Sequence, residues 1–361
     1  MVYKAIGIMS GSSLDGLDIA FTELSEQGGN WQAAIKHSAC IRYDRQWMEE
    51  LAGAVLLPAK EYLLLHVALG KMIGRSINAF IEENHLQHQV NLVAVHGHTT
   101  FHLPEKNMTH QLGDGATIAA EIQLPVVSDL RAMDMAFGGQ GAPIVPLGES
   151  LLFPQYAFFL NLGGIANISR HAPDGVTGFD VGACNRVLNF FARKTGRPYD
   201  DNGALAAEGK IELSLLSRLN DLAYFRQPAP KSLANSFGDE IIAIADTFDL
   251  AAKDALRTCT EHISMQVAHA LTPYKTKAPQ QLLVTGGGAF NGFLMERIAH
   301  HIKTVHFSPA LPSKEVIQYK EALIVALLGT LRWREQYTVL ASVTGATRNS
   351  IGGALWLGTE A

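Results

Sequence analysis

The chain has 361 residues, 47 % of them apolar and 17 % charged, with a formal net charge of −5. This composition supplies packed cores for two domains and excludes a disordered chain. There is no basic run to match nucleic-acid phosphates, no uninterrupted apolar stretch to span a bilayer, and no cysteine spacing that makes a disulfide framework or a metal clip.

In chain order, short runs of branched and aromatic residues predict strands at 6–9, 92–95, 125–127, 158–160 and 282–284. Helical spacing of apolar residues predicts helices over 63–82, 183–194, 240–272 and 321–334. Alternation of this kind marks an α/β fold. The N-terminus runs straight into the first strand with no signal peptide's apolar core, so a cytoplasmic protein is expected. Two segments share one build of strand, small-residue turn and strand: Ile6-Gly7-Ile8-Met9-Ser10-Gly11-Ser12-Ser13-Leu14-Asp15-Gly16-Leu17-Asp18-Ile19, and Phe158-Phe159-Leu160-Asn161-Leu162-Gly163-Gly164-Ile165-Ala166-Asn167-Ile168. Backbone N–H groups in such turns converge on anions. The pair predicts two similar lobes around a hinged cleft gripping a phosphate-bearing ligand, an architecture that resembles actin, the heat-shock chaperone ATPases and the sugar kinases. Gly138-Gly139-Gln140-Gly141-Ala142-Pro143 is the strongest punctuation, and the chain is expected to cross between lobes there and again at 321–334. The first lobe is then 1–140 plus 335–361, and the second 141–334.

Each motif has a functional and a structural reading. Gly11 to Asp18 suits the β- and γ-phosphates of a nucleotide, with Asp15 and Asp18 as candidates for Mg²⁺, or is an ordinary polar hairpin turn. Asn161, Gly163 and Gly164 form a second phosphate turn or a tight packed one. Gly286, Gly287 and Gly288 follow a strand but do not complete G-x-G-x-x-G, which favours a shelf under a nucleoside over a dinucleotide turn; a structural strand-to-helix turn is the alternative. Asp180, in Gly178-Phe179-Asp180-Val181-Gly182, reads as a general base or as a helix N-cap, with Gly182 bordering the nucleotide. Cys184 reads as packing. His96 and Thr99 follow a strand and read as substrate contacts; a metal held by His96, His98 and His102 ranks below that. Asp129 and Arg131 suit sugar hydroxyls and a carboxylate, or pair with each other or with neighbours. Asp114 reads as a helix cap, and Glu321 gains interest from its place at the expected crossing.

Together with Leu112-Gly113-Asp114-Gly115, Lys320-Glu321-Ala322-Leu323 and Val343-Thr344-Gly345-Ala346, these motifs resemble, over nearly the whole chain, the anhydro-N-acetylmuramic acid kinases of bacterial cell-wall recycling. The resemblance implies that ATP, water and 1,6-anhydro-N-acetylmuramic acid give N-acetylmuramate 6-phosphate and ADP, with Mg²⁺ and with Asp180 as the base on water. It implies a small amino-sugar partner rather than a nucleic acid or a membrane; a homodimer is also an expectation. The chain departs from the family pattern at Ser12, His98, Val181, Ala183 and Cys184. A plain hexosamine kinase of this fold and an ATP-dependent binding module are the alternatives.

Overall fold

Strand β1 (Val2–Ser10) buries Ile6 and Ile8 on one face and turns Gly7 to the other. A Cβ at Gly7 would lie 1.9 Å from the carbonyl oxygen of Ala322, so the backbone of a later helix presses directly on this strand. A computed structural model describes residues 1–358 apart from 12, 13, 15, 173, 174, 230, 234 and 235. It divides into two units, Met1–Pro154 with Tyr319–Ala361, and Gln155–Gln318.

In the first unit β1 leads to β2 (Gly16–Gln27), β3 (Asn30–Arg42), α1 (Arg45–Gly53), α2 (Ala59–Glu83), β4 (Leu92–Val95), β5 (His98–Leu103), β6 (Met108–Leu112), α3 (Gly115–Ile122), β7 (Val126–Ser128), α4 (Ala132–Ala136) and α5 (Val145–Leu152). The second unit holds β8 (Phe158–Leu162), β9 (Ile165–Ala172), β10 (Gly175–Ala183), α6 (Asn185–Arg193), α7 (Ala204–Glu208), α8 (Leu213–Asn220), α9 (Ser236–Asp246), α10 (Ala252–Leu271), β11 (Gln280–Thr285), α11 (Gly292–Ile302) and β12 (Phe307–Ala310). Helix α12 (Lys314–Trp333) carries the chain back, followed by α13 (Ala341–Thr344) and β13 (Ala354–Trp356).

The sheet of the first unit runs β13-β7-β4-β1-β2-β3 and that of the second β10-β9-β8-β11-β12. β1, β2 and β3 form an antiparallel meander, and β4 and β7 extend it in parallel from β1. The second unit repeats this with β8, β9 and β10 as the meander and β11 and β12 as the parallel strands. On one face of the first sheet, Ile6, Ile8, Val93 and Val95 meet Leu69, Ile73 and Ile77 of α2 and Ile118 of α3. On the other, α12 approaches through small residues, with no room for a Cβ at Gly329 against Ala94. The second core gathers Leu160, Leu282 and Val284 with Leu256, Ile263 and Val267 of α10 and Leu294 and Ile298 of α11.

All five expected strands and both hairpins are present, in a mixed α/β fold. The unit boundaries fall at 154/155 and 318/319, not at 140/141 and 334/335. The glycine-rich run 138–143 is a pinned turn within the first unit. Asp134, fully buried, accepts the Gly141 N–H at 2.7 Å and the Thr344 hydroxyl at 2.7 Å. Helix α5 also belongs to this unit, where Gly148 packs on Ile324. Helix α12 starts seven residues before the expected 321, and its one non-helical residue, Tyr319 (φ −116°, ψ 20°), stands at the boundary. The expected helix 240–272 is two helices, because Asp249 adopts a left-handed φ of 48° and ends the first. No helix among the described residues is long and apolar enough to cross a membrane.

Candidate active site

In the first unit, polar groups stand at the carboxyl ends of the parallel strands. His96, just past β4, is buried; its Nδ1 lies 2.8 Å from the Gly97 carbonyl oxygen, and its Nε2 accepts from Arg131 Nε at 2.9 Å. Both bonds fit a neutral ring protonated on Nδ1. Burial first, then the Arg131 charge, push His96 down to about 3. Arg131 also donates Nη1 to the Gly141 carbonyl at 3.1 Å, which fixes the guanidinium plane. Its Nη2 donates to nothing among the described residues. Burial lowers Arg131 to about 10, opposed by the charge of Glu321.

Glu321, on α12, is raised by burial; Lys320 and Arg131 oppose the rise and Glu149 adds to it. Lys320 Nζ donates to Glu149 Oε1 at 2.6 Å, and both side chains are buried. Asp129 has a left-handed φ of 55° and accepts from the Ser128 hydroxyl at 2.6 Å. Asp129 and Arg131 form no ion pair with each other; each bonds to neighbours, Asp129 to Ser128 and Arg131 to His96 and Gly141, which is the other half of the structural alternative. Thr99 Oγ1 accepts from Gln111 Nε2 at 3.3 Å. His98 is tied to Ser10 at 3.3 Å, and Ser10 to Tyr43 at 2.8 Å, so the residue before the first turn joins a buried polar chain. His102 instead meets Thr109 at 3.2 Å, and no metal-binding group of three His, Cys, Asp or Glu exists among the described residues. Asp114 caps α3 by accepting from the Thr117 N–H at 2.9 Å.

The first hairpin turn is only partly described. Ser12, Ser13 and Asp15 lie outside the described residues. Leu14 closes a turn on Gly11 at 3.4 Å, N–H to carbonyl, and packs on the core. Two of the expected ligand contacts are corrected. Leu17 is fully buried in the core, and a Cβ at Gly16 would lie 2.3 Å from the Ile41 carbonyl oxygen, so this glycine serves close strand packing. Asp18 lies on β2, and its charge helps raise the phenols of Tyr43 and Tyr319.

In the second unit the turn between β8 and β9 is two residues, Gly163 and Gly164. Their carbonyls accept the N–H groups of Asn185 (3.1 Å) and Cys184 (2.8 Å) at the start of α6, while Asn185 Nδ2 donates to the Leu162 carbonyl at 2.8 Å. The two glycine N–H groups bond to nothing among the described residues. A Cβ at Gly164 would meet open space, so this turn fits a phosphate that approaches the backbone. The Gly286–Gly288 run differs from expectation. Gly286, at φ 86°, leaves only 2.5 Å between a built Cβ and Asn161 Oδ1, and Gly288 would meet Leu162 Cβ at 2.7 Å. These two glycines let β11 close onto the β8 turn, and only Gly287 is exposed as a shelf would be. Gly182 is buried against the Phe225 ring, 3.3 Å from a built Cβ.

Asp180 lies within β10, the outer strand of its sheet, at a register shift between Asp180 and Gly182 against Asn167 and Ala166 of β9. Such a bulge re-aims a side chain. The N-cap reading fails, because Cys184 occupies the N-cap of α6. The carboxylate Oδ2 accepts the Leu233 N–H at 2.8 Å, and Oδ1 accepts nothing among the described residues. Burial raises the carboxyl above its ordinary value of 3.8, and the Leu233 bond partly offsets this. The result is a half-buried carboxylate with one oxygen anchored and one available to take a proton. Cys184 is buried and pushed up to about 12, as a packing residue should be. Sequence reading missed Tyr224, whose hydroxyl donates to the Asp180 carbonyl at 2.7 Å, because 44 residues separate them. It also missed Asp134, although the glycine run it pins was conspicuous.

The model of the family described as anhydro-N-acetylmuramic acid kinase matches residues 3–358. The chain is 33 % identical to the anhydro-N-acetylmuramic acid kinase of Acinetobacter baylyi, covering 97 % of this chain and 98 % of that one. It is 32 % identical to that of Haemophilus influenzae, covering 94 % of each. Among solved structures it is similar to the activator of the 2-hydroxyisocaproyl-CoA dehydratase from Clostridium difficile with bound ADPNP. The TM-score there is 0.48 at 12 % identity, over 93 % of this chain and 96 % of that chain.

Proposed function

The chain belongs to the anhydro-N-acetylmuramic acid kinase family, and from that premise we propose how its own residues carry the reaction. It is an enzyme, a sugar kinase. The substrate is 1,6-anhydro-N-acetylmuramic acid. Water adds to C1, the C1–O6 bond breaks, and O6 receives a phosphoryl group to give N-acetylmuramate 6-phosphate. ATP supplies the phosphoryl group and leaves as ADP; Mg²⁺, for which Asp18 is the candidate ligand among the described residues, would spread the phosphate charge.

Asp180 takes the proton from the attacking water through its available Oδ1. The observation that carries this role is the half-anchored, half-buried carboxylate with its raised pKa. The anomeric carbon tolerates oxocarbenium-like charge, so displacement of O6 there is feasible. The N–H groups of Gly163 and Gly164 hold phosphate oxygens, and Gly11 is a candidate phosphate contact in the first unit. Arg131, its plane fixed by His96 and Gly141, turns Nη2 to the lactyl carboxylate. His96 acts mainly by setting Arg131, while Asp129, Thr99 and Glu321 face sugar hydroxyls. Cytoplasmic recycling of cell-wall sugars is the setting this substrate implies, and a homodimer is compatible with it.

Product formed in ¹⁸O-labelled water tests the reaction. Label at C1 is expected, and its absence would reduce the enzyme to a plain hexosamine kinase. Asp180→Asn, which keeps shape but loses basicity, is expected to cut kcat by about 10²–10⁴-fold with nucleotide affinity retained. A near-normal rate would remove Asp180 from the role.

A further inference from the structure

β10 is an edge strand, so the hydrogen-bonding groups on its outer side need partners from elsewhere. At Asp180 they find them in one short segment of chain. The Asp180 N–H donates to the Lys231 carbonyl at 2.9 Å. The Asp180 carbonyl accepts from the Tyr224 hydroxyl at 2.7 Å. The carboxylate accepts from the Leu233 N–H at 2.8 Å. The segment is in turn tied to itself, for Lys231 Nζ donates to the Tyr224 carbonyl at 3.0 Å and lies 4.3 Å from the centre of the Tyr224 ring. Tyr224 is buried and seated against Phe225 and Phe237, with ring centres 5.6 and 5.2 Å away. Phe225 in turn fills the space over Gly182, two residues past Asp180.

We propose that Tyr224 and Lys231 are positioning residues for Asp180, holding the bulge so that Oδ2 stays tied to Leu233 and Oδ1 is left for the reacting water. This rests on Asp180 being the base. The phenol is well suited to holding a carbonyl, because burial, and then the Asp180 charge, push its pKa up and keep it a hydrogen-bond donor across the working pH range. The lysine bridges the two ends of the segment, joining the Tyr224 carbonyl to the residue whose own carbonyl meets Asp180. A backbone clamp of this kind fixes the direction of the carboxylate without adding a charge beside it. Two titratable groups on the helices packed against β10 carry no net charge toward Asp180. His262 on α10 is held neutral by burial, and Asp239 on α9 is paired with Arg186 at 2.8 Å.

The test compares Tyr224→Phe, Lys231→Met and Asp180→Asn in the full-length enzyme, measuring kcat, KM for ATP and sugar, Tm, and kcat against pH. Tyr224→Phe keeps the ring and loses only the hydroxyl. It is expected to lower kcat about 10-fold, to leave KM for ATP within twofold, and to retain a cooperative melt. Loosening the Leu233 bond removes what holds the Asp180 carboxyl down, so the acid limb of kcat should move to higher pH. Lys231→Met, which keeps length and apolar contact, is expected to shift the limb the same way by a smaller amount. Wild-type kcat and an unmoved acid limb in both variants, with Asp180→Asn inactive, would overturn the positioning role alone. A loss that follows only the fraction of folded enzyme would overturn it too. An active Asp180→Asn would instead overturn the base assignment and the clamp with it.

Discussion

The two units share a strand order, an antiparallel meander of three strands extended by two parallel ones, and spend it differently. In the first, the ends of β4 and β7 carry His96, Asp129 and Arg131, and the nearby α12 carries Lys320 and Glu321. In the second, the matching end of β11 carries three glycines, two of which let it close on the β8 turn, and the acid lies on the meander's edge strand. Strand ends of a parallel sheet are the usual place for ligand chemistry. In the second unit the candidate base lies instead on a bulged edge strand whose exposed backbone is covered by other chain. Topology thus offers positions, and the residues at them decide which are used.

The contrast is most sharply tested in the first unit's buried charges. Lys320→Met removes the ammonium that meets the buried Glu149 at 2.6 Å and is expected to destabilise the protein by about 3–5 kcal/mol, read by chemical denaturation. A loss under ~1 kcal/mol would mean that the pair adds little to this unit. Arg131→Ala should then cost about 1.5–3 kcal/mol in kcat/KM for the lactyl-bearing sugar, and little for an anhydro-glucosamine analogue without that group. Equal losses on both sugars would make Arg131 a structural residue. In the second unit, Gly286→Ala should destabilise by roughly 1–3 kcal/mol, since its φ of 86° and the nearby Asn161 leave no place for a methyl group. Gly164→Ala, facing open space, should melt like wild type and weaken nucleotide binding instead. If both variants lose only stability, the phosphate-turn assignment falls.

One further effect is shared by the two units. His96 and His262 are each pushed down to about 3, chiefly by burial, from about 6.5 in an unfolded chain. The unfolded chain therefore binds more protons between those values. The stability each neutral ring contributes is complete above about pH 6.5 and falls as pH drops toward 3, by about 1.4 kcal/mol per pH unit for each histidine. Unfolding measured at pH 7, 6 and 5 should show this slope, and His262→Gln should make it shallower. An unchanged slope in that variant would show that His262 is not the group responsible.

Local pattern made much of this legible. The strand runs at 6–9, 92–95, 125–127, 158–160 and 282–284, the two hairpins and the capping role of Asp114 follow from residue type and spacing, which the backbone obeys at short range. Unit boundaries were not legible that way. The glycines at 138–143 read as a linker, but the partner that pins them, Thr344 through Asp134, is 210 residues from that aspartate. Likewise Gly16, Gly286 and Gly288 read as ligand glycines because sequence does not distinguish a backbone open to a phosphate from one pressed against another strand. Asp180 stands out in the sequence as a lone acid between glycines, while Tyr224 and Lys231, which bond its backbone, do not, since an edge strand's outer partners carry no periodic signal.

The same remoteness has a consequence for how the protein is made. Unit 2 is one continuous stretch, so all of its internal partners have emerged once residue 318 is synthesised. Unit 1 is interrupted. The β13–β7 pairing, the Trp356–Ser128 bond at 3.0 Å and the Thr344–Asp134 bond join its first 154 residues to the last 43. At the ordinary pace of translation the earlier part waits roughly 10–40 s for its completion, with β7 lacking its β13 partner and the buried Asp134 lacking Thr344. The ribosome therefore delivers the domains in reverse of their order in the chain: the one that begins second is the first able to finish, and a truncation of a few dozen C-terminal residues would strike the half of the molecule that contains the N-terminus.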